Sequence, residues 1–178
     1  MTFQIYFRVD ASKKIGSGHV MRCLSLADSL EQRGASCTFI CRKYDGNMID
    51  IIQSKGFKCF ALPYASKELF SSNLNEEGTQ HTDLFGINWN FDAQETATIL
   101  QDKKVDWLVI DHYSIDKRWE RKLQKYADKI VVIDDLADRS HDCDVLIDQN
   151  LVASLKTRYD DLIPTACEAL LGPKYALL

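Results

Sequence analysis

Short apolar segments rich in β-branched residues alternate with segments of helical periodicity along most of the chain. The two most apolar segments, 105–111 and 130–133, are separated by an amphipathic stretch over 116–126. A segment that is apolar at nearly every position is typical of a strand covered on both faces of a sheet. Strands that alternate with helices form parallel sheets with crossover helices. We therefore predict an α/β fold with a Rossmann-like, doubly wound and mainly parallel sheet.

The same patterns predict the individual elements. We expect strands over 3–9, 37–41, 57–62, 105–111 and 130–133, shorter strands over 145–147 and 169–171, and helices between Gly18 and Gly34 and over 48–53, 92–101 and 116–126. The polar stretch 63–90 breaks this periodicity and predicts a long, partly mobile loop. Such a loop is either functional or a surface excursion, and the sequence leaves both open.

Composition bounds the class of protein. A chain of 178 residues, 46% of them hydrophobic, buries enough surface to fold as one domain without a metal or disulfide. Its 22 basic and 26 acidic residues give a formal charge of −4, which argues against nucleic acid as a partner and favours small molecules. No segment approaches the roughly 20 apolar residues of a membrane helix, and we recognise no signal peptide. The six cysteines lack the spacing of a zinc site, so we expect reduced thiols in a cytoplasmic protein.

Acidic residues end three of the predicted strands. Asp111 follows the strand at Ile110, the pair 134–135 follows Ile133, and Asp148 follows Ile147. Ligands of open α/β sheets bind outside the carboxyl ends of the strands, so these acids outline a candidate site. Each of them taken alone is also a normal helix N-cap residue.

A glycine-containing turn joins the first strand to the first helix. Gly16 and Gly18 would let the backbone approach a ligand closely, and the helix N-terminus favours negative charge, as in a phosphate or sugar site. As a dinucleotide-binding fingerprint the turn is incomplete, because Met21 stands at the third glycine position. Arg42 would suit a 2′-phosphate, but two glycines are a weak signal for a nicotinamide cofactor.

His19 in the first helical turn would face the same crevice. A helix N-terminus disfavours the imidazolium form, so this ring would be neutral near pH 7 and able to accept a proton. His19 is therefore a candidate general base, with a capping or buried structural histidine as the alternative.

Several motifs together resemble one known family. They are Arg8-x-Asp10, the run 15–27 with Ile15-Gly16-x-Gly18-His19, the block Asp111-His112-Tyr113 with Trp119-Glu120, 133–139, His141-x-Cys143-Asp144, 148–150 and 171–177. In this order they resemble the UDP-2,4-diacetamido-2,4,6-trideoxy-β-L-altropyranose hydrolases of pseudaminic acid biosynthesis. The blocks extend over nearly the whole chain, which makes the resemblance far more specific than one glycine-rich turn.

The resemblance implies a fold like the N-terminal domain of a GT-B glycosyltransferase. By this resemblance residues 1–178 form a single Rossmann-like N-terminal domain, and a second, nucleotide-binding domain is missing after Leu178. It also implies an inverting hydrolase that acts on a UDP-sugar and water, with His19 as the base and Tyr113 orienting the water or sugar. Because UDP leaves as a stable anion, one base and no metal or cofactor would suffice, in place of the usual two carboxylates.

Further residues would contact the substrate in this hydrolase. Gly16, Ser17 and Gly18 would border the sugar or diphosphate, whereas Asp10, Asp111 and Asn150 would bind hydroxyl or acetamido groups. Loop and cap hydrogen bonds are the alternatives for these last three, and ordinary packing is the alternative for Tyr113.

Other polar residues favour structural roles. We expect Arg22 to form an ion pair with a carboxylate such as Asp10, and His112 and His141 to be structural. Asp134, Asp135 and Asp138 lack the spacing of a calcium loop. A glycosyltransferase of the same fold and a noncatalytic sugar-nucleotide-binding domain remain as other functions.

Overall fold

The computed structural model describes residues 2–64, 88–155 and 157–177. The strands within these ranges are β1 (Gln4–Val9), β2 (Ser36–Arg42), β3 (Lys58–Leu62), β4 (Trp107–Asp111), β5 (Lys129–Ile133), β6 (Val145–Asp148) and β7 (Glu168–Leu171). The α-helices are α1 (Gly18–Glu31), α2 (Ile49–Ser54), α3 (Trp89–Leu100) and α4 (Lys117–Leu123), and 3-10 turns follow at Gln124–Tyr126 and Pro173–Tyr175. No helix in the described ranges has the length and apolar character needed to span a bilayer.

The seven strands form one parallel sheet in the order β3-β2-β1-β4-β5-β6-β7. This order reverses between β1 and β4, and ligands of doubly wound folds bind at such a reversal. Val9 of β1 pairs with Asp111 of β4, so the two strands end at the same level. The predicted α/β, doubly wound parallel sheet is confirmed, and its switch point lies where the glycine turn and Asp111 meet.

The sheet is buried on both faces, as its uniformly apolar strands predict. Phe7 and Phe39 lie in the cluster on one face and stack with their ring centroids 4.9 Å apart. Leu108 and Trp119 belong to the cluster on the other face, and both are fully buried. The six cysteines are free thiols, four of them buried.

The helices α3 and α4 start at other residues than predicted, for local reasons. Helix α3 begins at Trp89 rather than at residue 92, because the Asn88 side chain caps it by accepting hydrogen bonds from the amides of Asn90 and Phe91. Helix α4 begins after the cap residue Asp116 and tightens into a 3-10 turn at its end. Most of the predicted loop 63–90, residues 65–87, lies outside the described residues.

A buried ion network joins α3 to the ends of β1 and β2. Asp92 of α3 accepts hydrogen bonds from Arg8 Nη2 at 2.6 Å and from Arg42 Nη2 at 2.8 Å, and from Trp119 Nε1 at 3.0 Å. Burial opposes ionisation of Asp92, but both arginines outweigh it and hold the pKa of its carboxyl well below the usual range. Arg42 Nη1 also donates to the carbonyl oxygen of Pro63 at 2.8 Å. The network therefore fixes α3 against the sheet beside the switch point.

We expect Phe39→Ala to lower the free energy of unfolding by about 3–5 kcal/mol, because it removes a fully buried ring from between Phe7 and Phe57. Urea denaturation measures the loss. Phe3→Ala is the matched control, since Phe3 is 59% exposed and should change stability by less than about 0.5 kcal/mol. Equal losses from the two substitutions would contradict this description of the core.

Candidate functional site

The turn before α1 presents exposed backbone at the switch point. Gly16 has a positive φ of 83°, which favours glycine, and its amide donates to the carbonyl oxygen of Ser12 at 2.8 Å. Gly16, Ser17 and Gly18 are all exposed, and a Cβ added at either glycine would meet no atom within 4 Å. Ser17 occupies the N-cap position of α1 without capping it through its side chain. The first-turn amides of α1 therefore lie beside open space where an anionic or sugar ligand would fit.

His19 and Asp111 form a buried dyad next to this turn. Asp111 Oδ1 lies 2.5 Å from His19 Nδ1, and the two residues are 1% and 6% exposed. Burial opposes ionisation of Asp111, but hydrogen bonds from Arg22 and His19 outweigh it and lower the pKa of its carboxyl to about 2. Two groups lie within hydrogen-bond distance of Nδ1: the Asp111 carboxylate, which only accepts, at 2.5 Å, and Arg22 Nη2, which only donates, at 3.1 Å. The shorter contact places the ring proton on Nδ1 and the lone pair on Nε2. His19 is thus arranged to take a proton at Nε2.

Arg22 lies one turn after His19 on α1 and binds two carboxylates. Its Nε and Nη2 donate to the two oxygens of Asp111 at 2.5 and 2.6 Å, and its Nη1 donates to Asp135 at 2.9 Å. The expected ion pair is therefore present, but its partners differ from the suggested Asp10. That carboxylate pairs with Arg8, because side chains two apart on a strand share a face.

Tyr113 packs against the catalytic candidate. Its ring meets the His19 ring edge to face, with centroids 4.4 Å apart and an interplanar angle of 83°. Burial and the charge of the nearby Asp135 carboxylate raise the pKa of the Tyr113 hydroxyl. This hydroxyl is therefore neutral at physiological pH, and it donates its proton to Asp135. The structure thus brings together His19, Tyr113 and Asp111 of the predicted site residues.

Asp10 is buried and is already hydrogen-bonded within the fold. It is 1% exposed, its Oδ1 lies 2.8 Å from Arg8 Nη1 and 2.6 Å from the amide of Arg42, and its Oδ2 lies 3.1 Å from His112 Nε2. The amide of Ser114 donates to His112 Nδ1 at 3.2 Å, so Nε2 holds the ring proton and donates to Asp10. Asp10 and His112 together connect the ends of β1, β2 and β4, and contact between Asp10 and a ligand stays a prediction.

Asn150 follows β6, at the same carboxyl-end edge of the sheet as the glycine turn after β1. Its Nδ2 donates to the carbonyl oxygen of Asp135 at 3.2 Å, and its amide donates to Asp148 at 2.9 Å. Asn150 is half-buried and adjoins the cluster through Asp135. Its predicted contact with a sugar requires a ligand that reaches across from the glycine turn.

The other strand-end acids form a separate buried group. Asp134 and Asp148 are both fully buried, and the hydroxyl of Tyr159 donates to Asp134 at 3.0 Å and lies 3.3 Å from Asp148. Arg139 and Arg158 pair with these carboxylates at 2.8 and 2.7 Å. These acids therefore hold the loops after β5 and β6 together. In the described ranges, no group of three or more His, Cys, Asp and Glu side chains is arranged to hold a metal ion.

Sequence reasoning placed Asp135 among the strand-end acids that outline a site but assigned it no role there, and it missed the specific partners of Arg22. One signal was available, because a residue three positions after His19 on a helix lies on the same face. The choice of Asp135 over Asp134 had no such signal, since both follow the same strand.

A comparison with curated proteins identifies a relative that the chain matches along nearly its whole length. No family model matches the chain. The chain is 29% identical over 176 residues to the UDP-2,4-diacetamido-2,4,6-trideoxy-beta-L-altropyranose hydrolase of Campylobacter jejuni, a match that covers 98% of this chain and 52% of the relative. The chain therefore spans about half the length of this curated relative. The resemblance indicated by the sequence motifs is confirmed.

A comparison with solved structures concerns the fold of the chain. The crystal structure of Acinetobacter baumannii MurG matches with a TM-score of 0.52 at 9% identity, over 96% of this chain and 45% of MurG. A second structure, LpCGTa in complex with UDP, matches with a TM-score of 0.49 at 14% identity, over 77% of this chain and 32% of LpCGTa. At 9% identity the likeness to MurG concerns the fold alone, and it confirms the expected GT-B-like fold.

We expect Asp111→Asn to remove a pH-dependent contribution to stability. The pKa of Asp111 falls from 3.8 to about 2 on folding, so its ionised form contributes about 2 kcal/mol at neutral pH. That contribution is lost as pH falls from about 4 to about 2. Urea denaturation should give a difference between native protein and variant that is constant above about pH 5 and shrinks below it.

Asp28→Asn is the control for this experiment, because about half of the Asp28 side chain is exposed. Its effect on the free energy of unfolding should be small at every pH. A difference for Asp111→Asn that stays constant between pH 5 and pH 3 would contradict the proposed stabilisation of the ionised Asp111.

Proposed function

We propose that this chain is the base-bearing half of a hydrolase that releases UDP from a UDP-linked 2,4-diacetamido-2,4,6-trideoxy sugar. The observation that carries the proposal is the His19–Asp111 dyad, with Nδ1 bound at 2.5 Å and no hydrogen bond to Nε2 from the described residues. This dyad lies beside the exposed glycine turn, in a chain that resembles such a hydrolase over 98% of its length.

The dyad supports a single displacement by water. His19 Nε2 takes a proton from a water molecule whose oxygen forms a bond to the anomeric carbon, while the bond from that carbon to the diphosphate oxygen breaks. UDP takes the bonding electrons and leaves as a stable anion, so the leaving group needs no proton, metal or cofactor. Direct displacement inverts the anomeric configuration. Asp111 stabilises the imidazolium that forms at His19, as the aspartate of a catalytic triad does.

The neighbouring groups would position the reactants. We assign Tyr113 to orient the water or sugar through its neutral hydroxyl, and the first-turn amides after Gly16 and Ser17 to the diphosphate or sugar. Asn150 would bind a hydroxyl or acetamido group. Asp10 and Asp111 serve the site through the groups they hold, because direct contact with the sugar would require either carboxylate to give up one of its present donors.

We propose a second half for the working enzyme, corresponding to the part of the Campylobacter relative that this chain does not span. It would hold most of the nucleotide across the cleft from the glycine turn. We place the reaction in the cytoplasm, within pseudaminic acid biosynthesis, on the strength of the resemblance to that hydrolase.

The proposal is tested by proton NMR of UDP-2,4-diacetamido-2,4,6-trideoxy-β-L-altropyranose. The sugar nucleotide is incubated with this chain, and in parallel with a longer protein in which the second half of the Campylobacter hydrolase follows it. We expect free sugar and UDP from the longer protein without any added acceptor. Sugar release only with an acceptor would indicate a glycosyltransferase instead, and binding without turnover by either protein would indicate a noncatalytic domain.

We expect His19→Gln in the longer protein to lower the rate of UDP release by roughly 10²–10⁴-fold, the range that a general base contributes. Binding of the sugar nucleotide, measured by calorimetry, should change little, because the diphosphate contacts lie on the backbone. Met21→Leu is the matched control, since Met21 is exposed on the same helical turn. Unchanged turnover by His19→Gln would refute its role as the base.

A further inference from the structure

We propose that Arg22 is a positioning residue that determines the tautomer of His19. It does so by occupying both oxygens of Asp111 from one side, so that Asp111 stays an acceptor for the proton on His19 Nδ1. The inference rests on the proposed function for its catalytic consequence, but the tautomer itself is a property of this chain. The sequence motifs do not distinguish this role from that of an ordinary ion pair.

The geometry is that of a planar guanidinium shared between two carboxylates. Nε and Nη2 of Arg22 reach Asp111 Oδ2 and Oδ1 at 2.5 and 2.6 Å, and Nη1 reaches Asp135 Oδ2 at 2.9 Å. Nη2 also lies 3.1 Å from His19 Nδ1, but its bond to Asp111 is shorter, and Asp111 lies closer still to Nδ1, at 2.5 Å. Arg22 is only 5% exposed, so water competes little for these bonds. A lysine presents one compact ammonium and cannot make the same planar pair of bonds.

The charges around Asp111 explain why this cation matters. The groups that interact with Asp111 are His19, Arg22 and the Cys23 thiol from α1, together with Tyr113 from the loop after β4. Asp135 from the loop after β5 binds the same Arg22. Arg22 is the permanent cation among them. Without it, the buried Asp111 would keep, among the described residues, only the hydrogen bonds from His19 and Cys23, and burial would favour its protonated form.

A protonated Asp111 would change the histidine. Its carboxylic acid would donate to His19 Nδ1, the ring proton would move to Nε2, and Nε2 would no longer accept a proton from water. With Arg22 present, one guanidinium and two carboxylates leave one net negative charge, which the imidazolium formed during the reaction neutralises. Arg22 therefore fixes the reactive tautomer of His19. Asp135 offsets the positive charge of Arg22, so that this charge does not oppose formation of the imidazolium at His19.

The tautomer is measured directly by long-range ¹⁵N–¹H NMR of histidine rings in this chain, in which unprotonated and protonated nitrogens resonate far apart. We expect a protonated Nδ1 and an unprotonated Nε2 at His19 in the native protein. Arg22→Met should move the proton to Nε2 in a large fraction of molecules. Arg33→Met is the matched control, because Arg33 is exposed beyond the end of the same helix and should leave the His19 signals unchanged.

Arg22→Lys keeps the test decisive if Arg22→Met does not fold. Lysine retains the charge but not the pair of bonds, so we expect a mixed tautomer population and an onset of Asp111 protonation at higher pH. The inference would be overturned if His19 keeps its proton on Nδ1 in every molecule of folded Arg22→Met protein, or of Arg22→Lys protein where Arg22→Met does not fold. Arg22 would then be a structural ion pair only.

The catalytic consequence is measured in the longer protein. Arg22→Lys should lower kcat for UDP release by about 10²-fold, the cost of a misplaced catalytic group, with KM nearly unchanged and the acidic limb of the pH profile moved upward. A tautomer change without any hydrolysis by the native longer protein would refute the proposed function and leave the positioning role intact. If the native longer protein releases UDP and Arg22→Lys changes neither kcat nor the pH profile, the positioning role alone is refuted.

Discussion

Buried carboxylates at the carboxyl ends of the central strands require permanent cations, and this requirement organises the whole edge of the sheet. Asp10 and Asp92 are neutralised by Arg8 and Arg42, and Asp111 is neutralised by Arg22 on the other side of β1. An isolated charge in these positions would cost several kcal/mol. The glycine turn, α1 and α3 are therefore held where their arginines and acids meet, which places His19 at the switch point.

The sequence predicts the elements well and the partners poorly, for physical reasons. Each strand is a local pattern of burial, so the alternation along the chain is enough to predict the parallel sheet. The start of α3 was missed by three residues because a cap at Asn88 outweighs the apolar periodicity. Ion pairs join residues far apart in sequence, such as Arg22 and Asp135, which are 113 positions apart. Only strand order and register bring these two together.

The site also shows why residue type alone does not establish a role. Asp10 and Asp111 both end central strands and both look available for a ligand, yet each already binds a cation and a histidine in the folded chain. The two histidines hold their protons on opposite nitrogens, because the Ser114 amide donates to Nδ1 of His112 whereas Asp111 accepts from Nδ1 of His19. His112 is thus a hydrogen-bond donor within the fold, whereas His19 presents the lone pair of Nε2.

Arg42 binds the chain on both sides of residues 65–87. Its Nη1 holds the carbonyl oxygen of Pro63 and its Nη2 holds Asp92 in the first turn of α3. A single planar group therefore sets the spacing between the end of β3 and the helix that follows. Because the entropic cost of closing a loop grows only slowly with its length, a change in the number of residues between these two anchors should cost the fold little, since Arg42 holds both anchors in place.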